Sequence, residues 1–140
     1  MRYFFAFAAA FAIATSAAFA AGAPTVVMPG QEKYTAQPGN YQMAVLYGNP
    51  AKAGFWVVRL KLPANWTFPV HYHPDRESVT VISGTFYAGI GSKMDKAHAL
   101  AFPAGSFISV PPNLRHYAFT KGPAVIDISG TGPLKDMMVK

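Results

Sequence analysis

The sequence predicts an all-β domain, a sandwich or a barrel. From Tyr41 onward, short segments rich in aromatic and β-branched residues recur, and each is bounded by Gly, Pro or Asn. Only Lys93 to Leu100 could make a helical turn, and Pro103 and Gly105 close it off.

Residues 1–20 differ from the rest of the 140-residue chain. Arg2 supplies a positive start, Phe4 to Ile13 an apolar stretch, and Ala18-Phe19-Ala20 a small-x-small site. This is the composition of an export signal, expected to be cleaved near Ala21 and to deliver the protein to the periplasm or the medium. A transmembrane anchor needs about 20 apolar residues, which this Ala-dominated segment only just reaches, so no stable membrane insertion is expected after cleavage. Residues 21–40 hold Pro24, Pro29, Gly30, Pro38 and Gly39, which leave no room for a helix. They read as a loose arm with one short strand at Thr25 to Met28.

The single domain then spans residues 41–140. Its predicted strands are Gln42 to Tyr47, Gly54 to Leu62, Thr67 to Tyr72, Ser78 to Ser83 and Thr85 to Ile90. Phe107 to Val110, His116 to Thr120, Ala124 to Ser129 and Lys135 to Val139 complete the series. Gly48-Asn49-Pro50, Ser83-Gly84 and Lys121-Gly122-Pro123 fit the turns of hairpins, with Gly supplying positive φ and Pro fixing its own.

Cysteine is absent, which excludes disulfides, thiolate metal sites and thiol nucleophiles. Any metal must therefore sit on His and carboxylate. The formal charge of +6, or +5 without Arg2, is spread from Lys33 to Lys140 without a run, so nucleic acid is not an expected partner. Barrels of this size have strand edges that invite pairing, and the Gly/Pro-rich arm could add to a neighbour's sheet, so a homodimer is expected.

The chemistry centres on Pro69-Val70-His71-Tyr72-His73-Pro74-Asp75-Arg76-Glu77. Alternate side chains of a strand share a face, so His71 and His73 project together while Tyr72 points away. Pro74 ends the strand, and the next two residues turn the chain so that Glu77 enters the following strand beside the His pair. His116 opens a strand after Pro111-Pro112-Asn113, and in a closed sheet that strand can lie next to His71 and His73.

The spacing His71-x-His73, three residues, Glu77, six residues, Gly84 resembles the first motif of the cupin superfamily, G-x5-H-x-H-x(3,4)-E-x6-G. Gly105, five residues, Pro111 and then His116 resembles the second, G-x5-P-x-G-x2-H-x3-N. Together the motifs cover residues 65–120. Asn65 and Asn113 stand where the motifs have Gly, and Thr120 stands for the final Asn. Asn accepts the left-handed conformation better than other non-glycine residues, so the turn at Asn113 can survive the change.

The resemblance, to a small single-domain cupin, implies a jelly-roll barrel holding one divalent ion on His71, His73, Glu77 and His116. Fe, Mn, Ni, Cu and Zn all suit such donors. The expected function is that of a metal-binding exported cupin, an oxidoreductase of the dioxygenase type acting on a small organic substrate. Glu77 is the expected catalytic base, released from the ion during turnover. Two alternatives stay open: a periplasmic protein that binds a metal or small ligand without turnover, and a metal-assisted isomerase or lyase.

Other residues are candidates on weaker grounds. Arg59 shares a strand face with Phe55 and Val57, and a solvated face is expected for it. Trp56, Phe86, Tyr87 and Tyr117 could line a pocket but read first as core. His98 reads as exposed. Asp75 and Arg76 could orient Glu77 or simply form the turn.

Overall fold

The computed structural model describes residues 22–140, so the expected export signal lies outside the described residues. Eleven strands and no helix occur among the described residues. They are β1 (Thr35–Gln37), β2 (Tyr41–Tyr47), β3 (Gly54–Leu62), β4 (Thr67–Tyr72), β5 (Glu77–Ser83), β6 (Thr85–Ile90), β7 (Leu100–Pro103), β8 (Phe107–Val110), β9 (His116–Phe119), β10 (Ala124–Gly132) and β11 (Met137–Met138). They form two antiparallel sheets, ordered β1-β2-β3-β10-β5-β8 and β11-β4-β9-β6-β7. Neighbours that are distant in sequence, such as β3 with β10 and β4 with β9, give the jelly-roll barrel.

Alternation along the strands builds the interior. On β3, Trp56, Val58, Leu60 and Leu62 face inward, opposed along the same sheet by Val79 and Val81 of β5 and Ile126 of β10. The facing sheet contributes Phe86 and Ala118, with Trp66 from the turn before β4. Strand β4 carries a bulge between Phe68 and His71: these residues pair with Ala118 and His116, three steps on one strand against two on the other. Pro69 sits in the bulge and has no N–H to give to the ladder. The extra residue turns Phe68 and His71 to the same inner side.

Strand β9 is buried on both faces. Its inner residues meet the core, while Tyr117 and Phe119 pack outward with Val70 beneath Met94, Ala99 and Val139. Residues 93–100 are thus a cover over the outer sheet face rather than a helical turn. Their one turn, His98 N–H to the Asp95 carbonyl at 3.3 Å, leads into β7. That strand was not expected because Pro103 ends it, but β7 is an edge strand, where a proline costs no ladder bond.

The arm also departs from expectation. Thr25 to Met28 is not a strand, and the arm's strand is instead Thr35–Gln37, which reaches the edge of β2. A strand needs a neighbouring ladder, and only the later segment has one. Nor is the whole arm loose: Glu32 accepts from Arg59 at 2.9 Å, and the Lys61 ammonium lies 4.0 Å above the Tyr34 ring. Arg59 also forks onto Asp127 of the neighbouring β10 at 2.7 and 2.9 Å, so it fastens the arm to the outer sheet face.

Asn40, Asn65 and Asn113 adopt φ near +60°, the left-handed conformation expected at 113. Among the described residues no helix is long and apolar enough to cross a membrane.

Candidate metal centre

His71 and His116 are register partners on β4 and β9, and His73 follows directly after β4. All three are buried. Each offers a ring nitrogen, and these atoms lie within 4.8 Å of one another, so the cluster could hold a metal ion. The far nitrogens explain the orientation. Nδ1 of His71 lies 2.8 Å from the Pro69 carbonyl, that of His116 2.8 Å from the Leu114 carbonyl, and that of His73 3.0 Å from the Lys135 carbonyl. A carbonyl only accepts, so each Nδ1 donates and each neutral ring keeps its lone pair on Nε2. Three lone pairs fixed by backbone acceptors are the donor set that a divalent ion requires.

Glu77 enters from the opposite sheet, at the start of β5. Its Oε2 is 3.1 Å from His73 Nε2, yet that buried nitrogen has no properly aligned hydrogen-bond partner. Two groups that approach without pointing at each other fit donors that share a third atom. The observation favours a fit between these residues and an ion.

Burial dominates the electrostatics. It pushes His71 down to about 4, assisted by the neighbouring His116, and lowers His116 as well. On His73 burial acts in the same direction but is outweighed by the Asp136 hydrogen bond and the Glu77 charge, so this ring is raised. Burial pushes Glu77 up to about 7 despite His73 beside it. Neutral imidazoles are the ligating form, so the low values of His71 and His116 keep them ready for a cation.

The cluster opens onto a cavity of about 100 Å³ between the sheets. Its wall is almost wholly apolar, with Phe86, Trp66 and Phe68 among the lining residues and the three His, Glu77 and Asp136 as its ionisable groups apart from Tyr41.

Of the weaker candidates, Phe86 alone lines this cavity. Trp56 packs over Gly130 and borders a smaller cleft behind His73 and Glu77. Tyr117 and Tyr87 belong to the outer cluster, because they alternate with the inward Ala118 and Ala88. His98 is exposed and pairs with Asp95 at 2.7 Å. Arg76 reaches Ser109 rather than Glu77. Arg59 is half-buried in its ion pairs rather than solvated. Sequence reasoning missed Asp136, whose Oδ1 lies 3.2 Å from His73 Nδ1. Its one sequence signal is its place in the last strand-like segment of a chain that has only six carboxylates.

A family model described as the cupin domain matches residues 58–129, about half of the chain and all of the site but Asp136. The chain belongs to the cupin domain family. No curated protein matches the sequence of this cupin. Solved structures share its fold at low identity. The polyketide cyclase RemF from Streptomyces resistomycificus is 16% identical, with TM-score 0.69 over 84% of this chain and 87% of its own. An RmlC-like cupin from Shewanella frigidimarina is 17% identical, with TM-score 0.62 over 78% and 91%. KdgF from Halomonas sp. is 16% identical, with TM-score 0.60 over 79% and 96%.

Proposed function

We propose that this cupin is an exported, periplasmic or secreted, metal-dependent enzyme that converts a small organic molecule at one divalent ion held by His71, His73, His116 and Glu77. The observation that carries the reading is the set of three Nδ1–H to carbonyl bonds, which leaves three buried Nε2 lone pairs facing one point beside an apolar cavity. When bound, an ion of the Fe, Mn, Ni, Cu or Zn group supplies Lewis acidity, and redox capacity if it is iron, manganese or copper. The cavity walls exclude bulk water and hold the substrate against the imidazoles. Glu77 lines the same space and, once released from the ion, accepts the substrate's proton as general base. Export is supported by the composition of residues 1–20.

Oxidation of the substrate by dioxygen is the first reaction proposed. Oxygen-independent proton transfer is the second, favoured by the likeness to a structure described as a polyketide cyclase. Metal analysis of protein purified from its exported location, beside His116→Ala, tests the site: wild-type protein that binds none of these ions overturns it. Substrate-dependent oxygen uptake then selects oxidation, turnover without it selects proton transfer, and ligand binding without turnover selects a binding protein.

A further inference from the structure

The cavity exists because two small side chains floor it. On β9, His116 pairs with His71 on one side and with Ile90, exposed at the end of β6, on the other. The next inward row is Phe68, Ala118 and Ala88, again register partners across β4, β9 and β6. Ala118 and Ala88 thus lie one layer below the imidazoles. A larger side chain at either position would occupy the space that separates this sheet from Val58, Val79 and Ile128 opposite.

The walls restrict what can enter. Trp66 and Phe68 are stacked at 5.8 Å with their planes 17° apart, and both line the cavity with Phe86 and Tyr41. Flat aromatic walls favour flat guests, which gain offset-stacked or edge contacts. No Lys or Arg is among the lining residues, whereas two carboxyl groups, Glu77 and Asp136, are. With a divalent ion bound, those two carboxylates cancel its charge, so a phosphate or carboxylate group would enter an apolar site with no net attraction and a full desolvation cost. The volume of about 100 Å³ is below the ~150 Å³ of an engineered cavity that takes benzene, so nothing larger than a single ring can be accommodated.

We propose that the cavity selects a neutral, planar, single-ring molecule with one hydroxyl or carbonyl oxygen, its ring on the Ala118–Ala88 floor and its oxygen toward the three imidazoles. Ala118 and Ala88 are the specificity-determining residues. The inference rests on the metal reading above for the direction in which the oxygen points. Zinc is titrated into the purified protein first, so that failure of the metal reading appears in that measurement by itself. Phenol, cyclohexanol and phenyl phosphate are then titrated into zinc-loaded and metal-free protein. Phenol is expected to bind about tenfold or more tighter than the other two in both forms, and tighter with zinc than without. Ala118→Leu and Ala88→Leu are expected to keep zinc affinity while losing phenol, at a cost in melting temperature set by the tighter packing. If a leucine variant does not fold, Ala118→Val and Ala88→Val replace it, with a smaller loss expected. Cyclohexanol or phenyl phosphate binding as tightly as phenol overturns the proposal. So does a folded, zinc-binding variant that takes phenol like the wild type, or no phenol binding to either form of the wild-type protein.

Discussion

Asp136 Oδ1 lies 3.2 Å from Nδ1 of His73. The same Nδ1 donates to the Lys135 carbonyl, so adjacent residues of the C-terminal segment hold one imidazole from behind. The His73 hydrogen bond holds the Asp136 carboxyl below its usual range, so the group is anionic at neutral pH. A carboxylate behind a ligating imidazole raises the basicity of the ring and fixes its orientation.

Asp136→Asn is therefore expected to weaken metal binding about tenfold, and Asp136→Ala by up to about 100-fold. The Lys135 carbonyl still sets the tautomer in both variants. Competition against a chelating dye measures the change, and an unaltered affinity in Asp136→Ala would show that the carboxylate does not act on the ring.

Metal removal has its own signature. At a free ion concentration about 100 times Kd, an ion that binds only the folded protein adds about 2.7 kcal/mol of stability. Calorimetry with and without chelator is expected to show this shift for the wild type and to show it abolished in His116→Ala.

The metal-free protein is expected to have an unusual pH profile. Glu77 is raised from 4.5 to about 7, so its contribution to stability is full below pH 4.5 and is lost as pH rises through about 7. His71 is depressed from 6.5 to about 4, so its contribution is full above pH 6.5 and is lost as pH falls through about 4. Between pH 4.5 and 6.5 the Glu77 slope opposes that of His71, to which the lowered His116 adds, so stability rises only gently with pH. Glu77→Gln removes the opposing slope. Denaturant melts of that variant should show stability rising more steeply with pH across this window and exceeding the wild type at pH 8 by about 1–3 kcal/mol.

Gly89 tests the cover over the outer face. A Cβ there would collide with the Tyr117 ring and hydroxyl, and that hydroxyl donates to the Asp95 carbonyl at 2.6 Å. Gly89→Ala is expected to cost about 1–3 kcal/mol in unfolding experiments, because Tyr117 is held from both sides and has nowhere to move. A loss within about 0.5 kcal/mol, the range of neutral surface changes, would mean that the cover yields.

The sequence made legible whatever depends on local alternation or on fixed spacing. Most of the strands expected from Tyr41 onward are present with bounds that differ by a residue or so, as the start of β5 at Glu77 instead of Ser78 illustrates. The three imidazoles also converge, although not by the simple alternation argued for them: His73 lies beyond the end of β4, and the bulge at Pro69 sets which way His71 faces. Long-range pairings were not legible. Arg59 looked like a surface cation because its partners, Glu32 and Asp127, lie far away in sequence, one in the arm and one on β10. Asp136 was hidden for the same reason, since nothing near it in sequence indicates that its segment returns to β4. The three-residue β1 is too short for a period to show and β7 ends on Pro103, so only their neighbouring ladders make them strands.

Strand β11 pairs with β4 at Tyr72 and His71, and Val139 N–H donates to the Val70 carbonyl at 3.0 Å. During synthesis from the N-terminus, His71, His73, Glu77 and His116 are all present before the residues that hold His73 in place have been made. Contacts between residues so far apart in sequence form late in folding. A chain cut before Lys135 would thus keep all four of these side chains yet leave His73 without either partner that orients its ring.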